Sequence, residues 1–266
     1  MVTFINDDGH AHLDWSLGKL ALAEGNLYYR HAGSGPIIIA LHGIQGTSDA
    51  WSEVARSLSE NYTVVAPDMR GREPSLIPSA RDEYSMDRFA SDLEALITET
   101  GKPAMLIGWS MGVLVLLEYF RRRQGGYPPS ALVLAGGSAY LGQEAHWFGG
   151  ESPLEVSKEA TQRAERLKLS RAASPHAVAA SWWHARQSDY RDTLSAISTP
   201  TLVLHGTDDD QCPPGHAKLL ADKLLNAELE MWTGCGHNPM AHDASRFATS
   251  VHAFNQRLDG SRGSAP

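Results

Sequence analysis

Leu106-Ile107-Gly108-Trp109-Ser110-Met111-Gly112 decides how this chain is read. The apolar run from Ala104 to Ile107 predicts a strand, and Met111 to Phe120 predicts a helix that starts at once after the serine. Ser110 has glycine two residues before and two after it, the G-x-S-x-G pattern of a nucleophile elbow. In that motif a sharp strand-to-helix turn lifts the hydroxyl clear of the sheet edge. Glycine suits both places because a Cβ would block the close approach of strand and helix. The new helix also turns unsatisfied N–H groups toward any negative charge that develops beside the serine. A glycine-flanked serine ahead of a helix is often no more than an N-cap, so the surrounding chain has to decide.

Working outward, the same strand–helix rhythm recurs. Leu20–Ala23 and Leu27–Arg30 read as two strands around a turn, and Ile37–Leu41 as a strand buried on both faces. Trp51–Leu58 has helical spacing, with Ser48 or Asp49 as its N-cap. Tyr62–Ala66 is a strand, Asp87–Thr98 an amphipathic helix, and Ala131–Ala135 another buried strand. The helix after Ser110 is apolar on nearly every side, which predicts burial against a sheet. Arg121-Arg122-Arg123 closes it, better explained as cations at a helix C-terminus than as a nucleic-acid tag. From Ser138 to about Ile197 the rhythm stops, leaving helical patches and aromatics without a clear strand. It resumes with Thr201–Leu204 as strand, Pro214–Leu225 as helix, Glu228–Met231 as strand and His242–Leu258 as helix. Repeated βα units predict an α/β fold: a mostly parallel central sheet, helices on both faces, and an inserted helical cap. The expected division is an N-terminal extension 1–18, a core of 19–137 and 198–259, a cap over 138–197 and a flexible tail 260–266.

A chain of 266 residues that is 42% hydrophobic can bury a sizeable core. Its formal charge of −8 disfavours a nucleic-acid surface and gives no reason to expect attachment to anionic membranes. Cys212 and Cys235 are the only cysteines, too few for a disulfide framework, and a buried free thiol is the default for each. The first residues lack a basic segment followed by an apolar run, and no stretch is long and apolar enough to span a bilayer. A soluble, cytoplasmic setting is therefore expected, with a small molecule rather than nucleic acid or membrane as partner; the sequence does not speak to oligomeric state.

In an open parallel sheet, ligands bind beyond the C-terminal ends of the strands. Four features fall at such ends: His42-Gly43-Ile44-Gln45-Gly46, Ser110, Gly206-Thr207-Asp208-Asp209-Asp210, and Gly234-Cys235-Gly236-His237. A serine hydroxyl needs a base to become a nucleophile, and His237 is assigned that part. A carboxylate must orient the imidazole and stabilise its charged form, and Asp209 is assigned that part. The order Ser, Asp, His is the one an elbow of this kind requires. An oxyanion needs donors already in place, here the backbone N–H groups of Met111 and Ile44. A metal site built from Asp208–Asp210 with His205, Cys212 or His216 lacks any recognised ligand spacing. Trp109, Trp147, Trp182 and Trp183 are expected around the substrate, the last three as an apolar lid with Phe148. His42 is counted beside them, chiefly to organise the oxyanion loop by hydrogen bonding.

From about Leu20 to Leu258 the chain resembles the α/β-hydrolase family. The matching pieces are His42-Gly43-x-x-Gly46, Ala66-Pro67-Asp68-x-Arg70-Gly71, Gly108-Trp109-Ser110-Met111-Gly112, Pro200-Thr201-Leu202-Val203-Leu204-His205-Gly206-x-x-Asp209, and Gly236-His237. The resemblance favours Asp209 over its neighbours, since that family's carboxylate stands three residues past the glycine ending its strand. It is nearest to small carboxylesterases with a short helical cap, and implies hydrolysis of a small or medium carboxylic ester through an acyl-enzyme on Ser110, with no cofactor or metal. A thioesterase or acyltransferase, a lactonase, a carbon–carbon bond hydrolase, or a ligand-binding receptor that retains the triad would show the same residues. Two departures stand out: Val113, where a second glycine is common and where narrowing near the oxyanion is expected, and Arg70-Gly71-Arg72-Glu73-Pro74-Ser75, which lacks the usual glycine-rich ending.

Overall fold

Alternation along the apolar runs divides each central strand between two cores. In the computed structural model, which describes residues 15–122, 129–142 and 147–263, Ile39 and Leu41 face one core and Ile38 and Ala40 the other. Leu106 and Leu132 lie with the first set; Ile107 and Val133 lie with the second. Successive side chains of a strand point to opposite faces, so a run apolar throughout must be covered on both sides.

The strands are β1 (Ser16–Leu22), β2 (Gly25–Ala32), β3 (Ile37–Leu41), β4 (Thr63–Asp68), β5 (Met105–Trp109), β6 (Ala131–Ala135), β7 (Thr201–Gly206) and β8 (Ala227–Trp232). They form one sheet in the order β1-β2-β4-β3-β5-β6-β7-β8. The β1–β2 and β2–β4 pairs are antiparallel; β4 to β8 run parallel. Helices α1 (Ser52–Leu58), α2 (Met86–Thr100), α3 (Met111–Arg122), α6 (Gly215–Lys223), α7 (Pro239–His242) and α8 (Ala244–Gly263) follow or flank the strands. Val54 of α1 and Phe247, Val251 and Phe254 of α8 seal one face, while Phe89 and Leu93 of α2 and Leu114 and Leu117 of α3 seal the other.

Several boundaries differ from expectation. β1 begins at Ser16, inside the segment assigned to an extension, because backbone pairing with β2 (Ser16 opposite His31) holds an edge strand whose side chains are largely exposed. The helix expected to start at Trp51 begins as a tight 3₁₀ turn over Ser48–Trp51, capped by Thr47 rather than by Ser48 or Asp49. The last helix breaks at Asp243, and its second part runs to Gly263, past the expected tail boundary. Gly260 had marked that boundary, yet a glycine in an exposed helix costs only about 1 kcal/mol and does not stop one. Residues 1–14, Arg123 and the last three residues of the tail lie outside the described residues.

Between β6 and β7 the chain leaves the sheet for two helices, α4 (Pro153–Arg166) and α5 (Pro175–Ala185), each started by a serine cap and a proline in its first turn. Val156, Ala160 and Ala177–Ala180 join the same apolar cluster as α2 and α3. This excursion is therefore packed onto the sheet assembly. Among the described residues, no helix is long and apolar enough to cross a membrane.

Candidate active site

The elbow forms as its glycines require. Ser110 follows β5 with φ +55°, a left-handed conformation that costs a non-glycine residue of order 1–3 kcal/mol. A Cβ at Gly112 would stand 2.5 Å from the Leu41 carbonyl oxygen, and one at Gly108 would stand 2.7 Å from that of Gly112. Strand β3, strand β5 and helix α3 thus meet with no room for a side chain, and the serine is held at the junction.

Three strand ends then converge. His237 Nε2 lies 2.9 Å from Ser110 Oγ, and His237 Nδ1 lies 3.0 Å from both carboxylate oxygens of Asp209. With Nδ1–H donating to the carboxylate, Nε2 is left to accept the serine proton. Residues 110, 209 and 237 sit after β5, β7 and β8, and the loops of the last two are sewn together: Asp208 N–H donates to the Cys235 carbonyl, Gly234 N–H to Thr207 Oγ1. Trp109 reaches across to the same loop, its Nε1–H donating to the His237 carbonyl at 2.9 Å.

Asp209 is buried and accepts from four donors. Gln211 N–H (2.9 Å) and Cys212 N–H (2.8 Å) reach Oδ1, His237 reaches both oxygens, and His205 Nε2 lies 3.2 Å from Oδ2. Burial would lift its pKa, but the hydrogen bonds from His205 and His237, the charge of His237 and the Cys212 N–H outweigh that and hold the carboxyl well below the usual range. His205, in the fully buried end of β7, also points Nε2 at the Cys212 carbonyl, 2.7 Å away. A carbonyl only accepts, so Nε2 carries a proton; Nδ1 has no partner among the described residues. His205 and Cys212 had been weighed as metal ligands; here they hold the acid loop. Among the described residues no three His, Cys, Asp or Glu side chains are grouped to bind a metal ion. The Cys212 thiol, raised by burial and by the Asp209 charge, stays protonated.

Of the donors expected for an oxyanion, one follows the serine directly and the other belongs to a residue lining the same cavity. Met111 opens α3, so its N–H is among those the helix cannot satisfy. Ile44 lines the cavity next to Gly43, whose added Cβ would be 3.2 Å from that of Ser110. The loop carrying Ile44 is clamped from below by Arg72, fully buried, whose guanidinium donates to the carbonyls of Ile44, Arg70 (2.6 Å) and Gly46 (3.3 Å). Burial pulls the pKa of Arg72 down to about 10, which still leaves it charged at neutral pH. The departure at 70–75 thus has a structural purpose, and Arg70 is likewise buried against Asp92. His42 is fully buried beside this loop: Met69 N–H donates to Nε2, so Nδ1–H donates to the Gly43 carbonyl at 2.8 Å. Its pKa is pushed well below the ordinary value by burial and by Arg72, so it is neutral.

Above the serine is a cavity of about 350 Å³, lined by Ile44, Trp109, Ser110, Trp147 and His237, together with residues of the excursion. The structure thus brings Trp109 and Trp147 to the serine but not the other expected contacts. His42 lies beneath the loop. Trp182 packs behind Trp147 and Phe148, with ring centroids 5.6 and 5.9 Å apart. Trp183, the next residue on α5, packs against the guanidinium groups of Arg81 and Arg186. Val113 does not narrow the cavity; it is buried against Gly137. Sequence reasoning missed what fastens the excursion down. Arg171 bridges Asp68 (2.6 Å) and Asp49 (3.3 Å), and Gln45 Nε2 donates to the Ala160 carbonyl at 2.5 Å. Gln45 stood in a motif already singled out; nothing local marks Arg171.

Comparison with known proteins identifies the fold. A model of the alpha/beta hydrolase family matches residues 38–250. A putative non-heme chloroperoxidase of Synechocystis is 27% identical, the match covering 84% of this chain and 92% of that protein. An esterase of a Rhodococcus species is 26% identical with a TM-score of 0.74, covering 93% of this chain and 99% of the other. An esterase of Exiguobacterium antarcticum shares the fold with a TM-score of 0.78 at 24% identity, covering 90% and 98%.

Proposed function

Because the chain belongs to the alpha/beta hydrolase family, we propose that it hydrolyses small or medium carboxylic esters through an acyl-enzyme on Ser110. The observation that carries this is the unbroken relay Ser110–His237–Asp209 at 2.9 and 3.0 Å, below a cavity walled by apolar and polar side chains. The esterase names of relatives point the same way.

In this mechanism His237 Nε2 takes the Ser110 proton as Oγ attacks the ester carbonyl carbon. Negative charge gathers on the carbonyl oxygen and is met by the N–H groups of Ile44 and Met111. Asp209 stabilises the imidazolium, which then protonates the departing alcohol. Water, deprotonated by the same imidazole, releases the acid and restores Ser110. Trp109 has a positioning part, since its bond to the His237 carbonyl fixes the loop that carries the base. The test is turnover of a panel of short aryl esters. Ser110→Ala is expected to lose at least about a thousandfold in kcat; turnover within a few fold of the wild type would refute the reading.

A further inference from the structure

The charges around the cavity do not cancel. Of the ionic side chains that line it, Arg171 is taken up by Asp68 and Asp49, and Asp49 also by Arg30 at 2.6 Å. Arg163 and Lys168 remain. The half-buried guanidinium of Arg163 donates to two uncharged acceptors, the Trp147 carbonyl at 3.4 Å and Gln211 Oε1. Asp210 opposes its charge from nearby but forms no ion pair with it among the described residues. Burial and the neighbouring charge of Arg166 push its pKa below the ordinary guanidinium range. Lys168 is exposed and lines the same cavity with Leu167 and Leu169, and makes no ion pair among the described residues. Its backbone is in the left-handed region (φ +50°), a conformation that α4 runs into as it ends.

A protein of net charge −8 therefore lines the cavity that holds Ser110 and His237 with two cations of the excursion that make no ion pair among the described residues. Apolar walls with two such cations among them suit a chain that is apolar along its length and anionic at its end. We propose that the preferred substrates are carboxylate-bearing esters, such as half-esters of dicarboxylic acids, whose free carboxylate is received by Arg163 and Lys168. This rests on the reading of Ser110 as nucleophile.

The test compares methanol release from monomethyl adipate and monomethyl suberate with that from methyl hexanoate and methyl octanoate, which match them in chain length but lack the carboxylate. At low salt, kcat/KM is expected to favour a half-ester by about tenfold, as for a hydrogen bond to a charged group. The preference should shrink as salt screens the exposed lysine. Lys168→Glu, at an exposed position, should abolish or reverse the ratio, and Arg163→Met should reduce it. Equal rates for charged and uncharged esters, or a ratio unmoved in Lys168→Glu, would overturn the inference and leave the esterase reading standing. If neither kind of ester is turned over and Ser110 resists a fluorophosphonate, that reading falls and the inference with it.

Discussion

Replacing His205 tests whether the acid loop is organised as described. Its Nε2–H is shared between the Cys212 carbonyl at 2.7 Å and Asp209 Oδ2 at 3.2 Å. In His205→Leu both bonds go. A hydrogen bond to a charged group is worth about 1.5–3 kcal/mol, and this one, long and shared, belongs at the lower end. The Cys212 carbonyl loses a buried partner, adding about 1 kcal/mol or more. The expected destabilisation is about 2–3 kcal/mol. The carboxyl of Asp209 should rise by about one pKa unit, since one unit corresponds to about 1.36 kcal/mol. Starting well below the usual range, it stays ionised at neutral pH. Activity should therefore fall only about three- to tenfold in kcat, through a less firmly held imidazole. KM should not move, because His205 does not line the cavity. A glutamine amide can reach the place of Nε2, so His205→Gln should recover most of both losses. Urea unfolding and steady-state kinetics on an aryl ester read the two effects. A leucine variant as stable and active as the wild type would refute the reasoning, as would a glutamine variant no better than leucine.

Close packing at the elbow makes Gly112→Ala destabilising by about 3 kcal/mol or more, at the top of the range for overpacking, because the new Cβ would meet the Leu41 carbonyl at 2.5 Å. Gly215→Ala, with nothing within 4 Å of the added Cβ, should be neutral or slightly stabilising; thermal melts that rank the two alike would contradict this. Stability should also fall in mild acid. The pKa of His42 is depressed in the folded state, so the unfolded chain binds the extra proton, and stability present above about pH 6.5 is lost as pH falls. Between pH 6.5 and 5 this single group should remove roughly 2 kcal/mol. Asp209, also depressed, adds a loss only below about pH 4, as its unfolded counterpart protonates. Unfolding free energies that stay flat from pH 7.5 to 5 would contradict the assignment for His42.

Much of this arrangement was legible because its causes are local. Strands buried on both faces must be apolar throughout, so β3, β5 and β6 announced themselves, and Gly108 is required by a contact within the turn itself, with the Gly112 carbonyl, although Gly112 answers to Leu41 on the neighbouring strand. Parallel pairing then brings Ser110, Asp209 and His237 together wherever else the chain goes. Long-range partners left no such trace. The bond of Arg171 to Asp68 joins residues more than a hundred positions apart, and neither end advertises the other. Trp182 and Trp183 were both expected in an apolar lid with Trp147 and Phe148, yet neighbours on a helix point about 100° apart, and neither lines the cavity. β1 was read short because edge strands are held by backbone bonds that side-chain patterning does not record.

The most direct measurement is covalent trapping. Incubation with a fluorophosphonate, followed by intact mass and peptide mapping, should show one adduct, on the peptide bearing Ser110; it should be absent in Ser110→Ala and formed at least about a hundredfold more slowly in His237→Ala. Labelling on another residue, or labelling of Ser110 at an undiminished rate without the imidazole, would contradict the account.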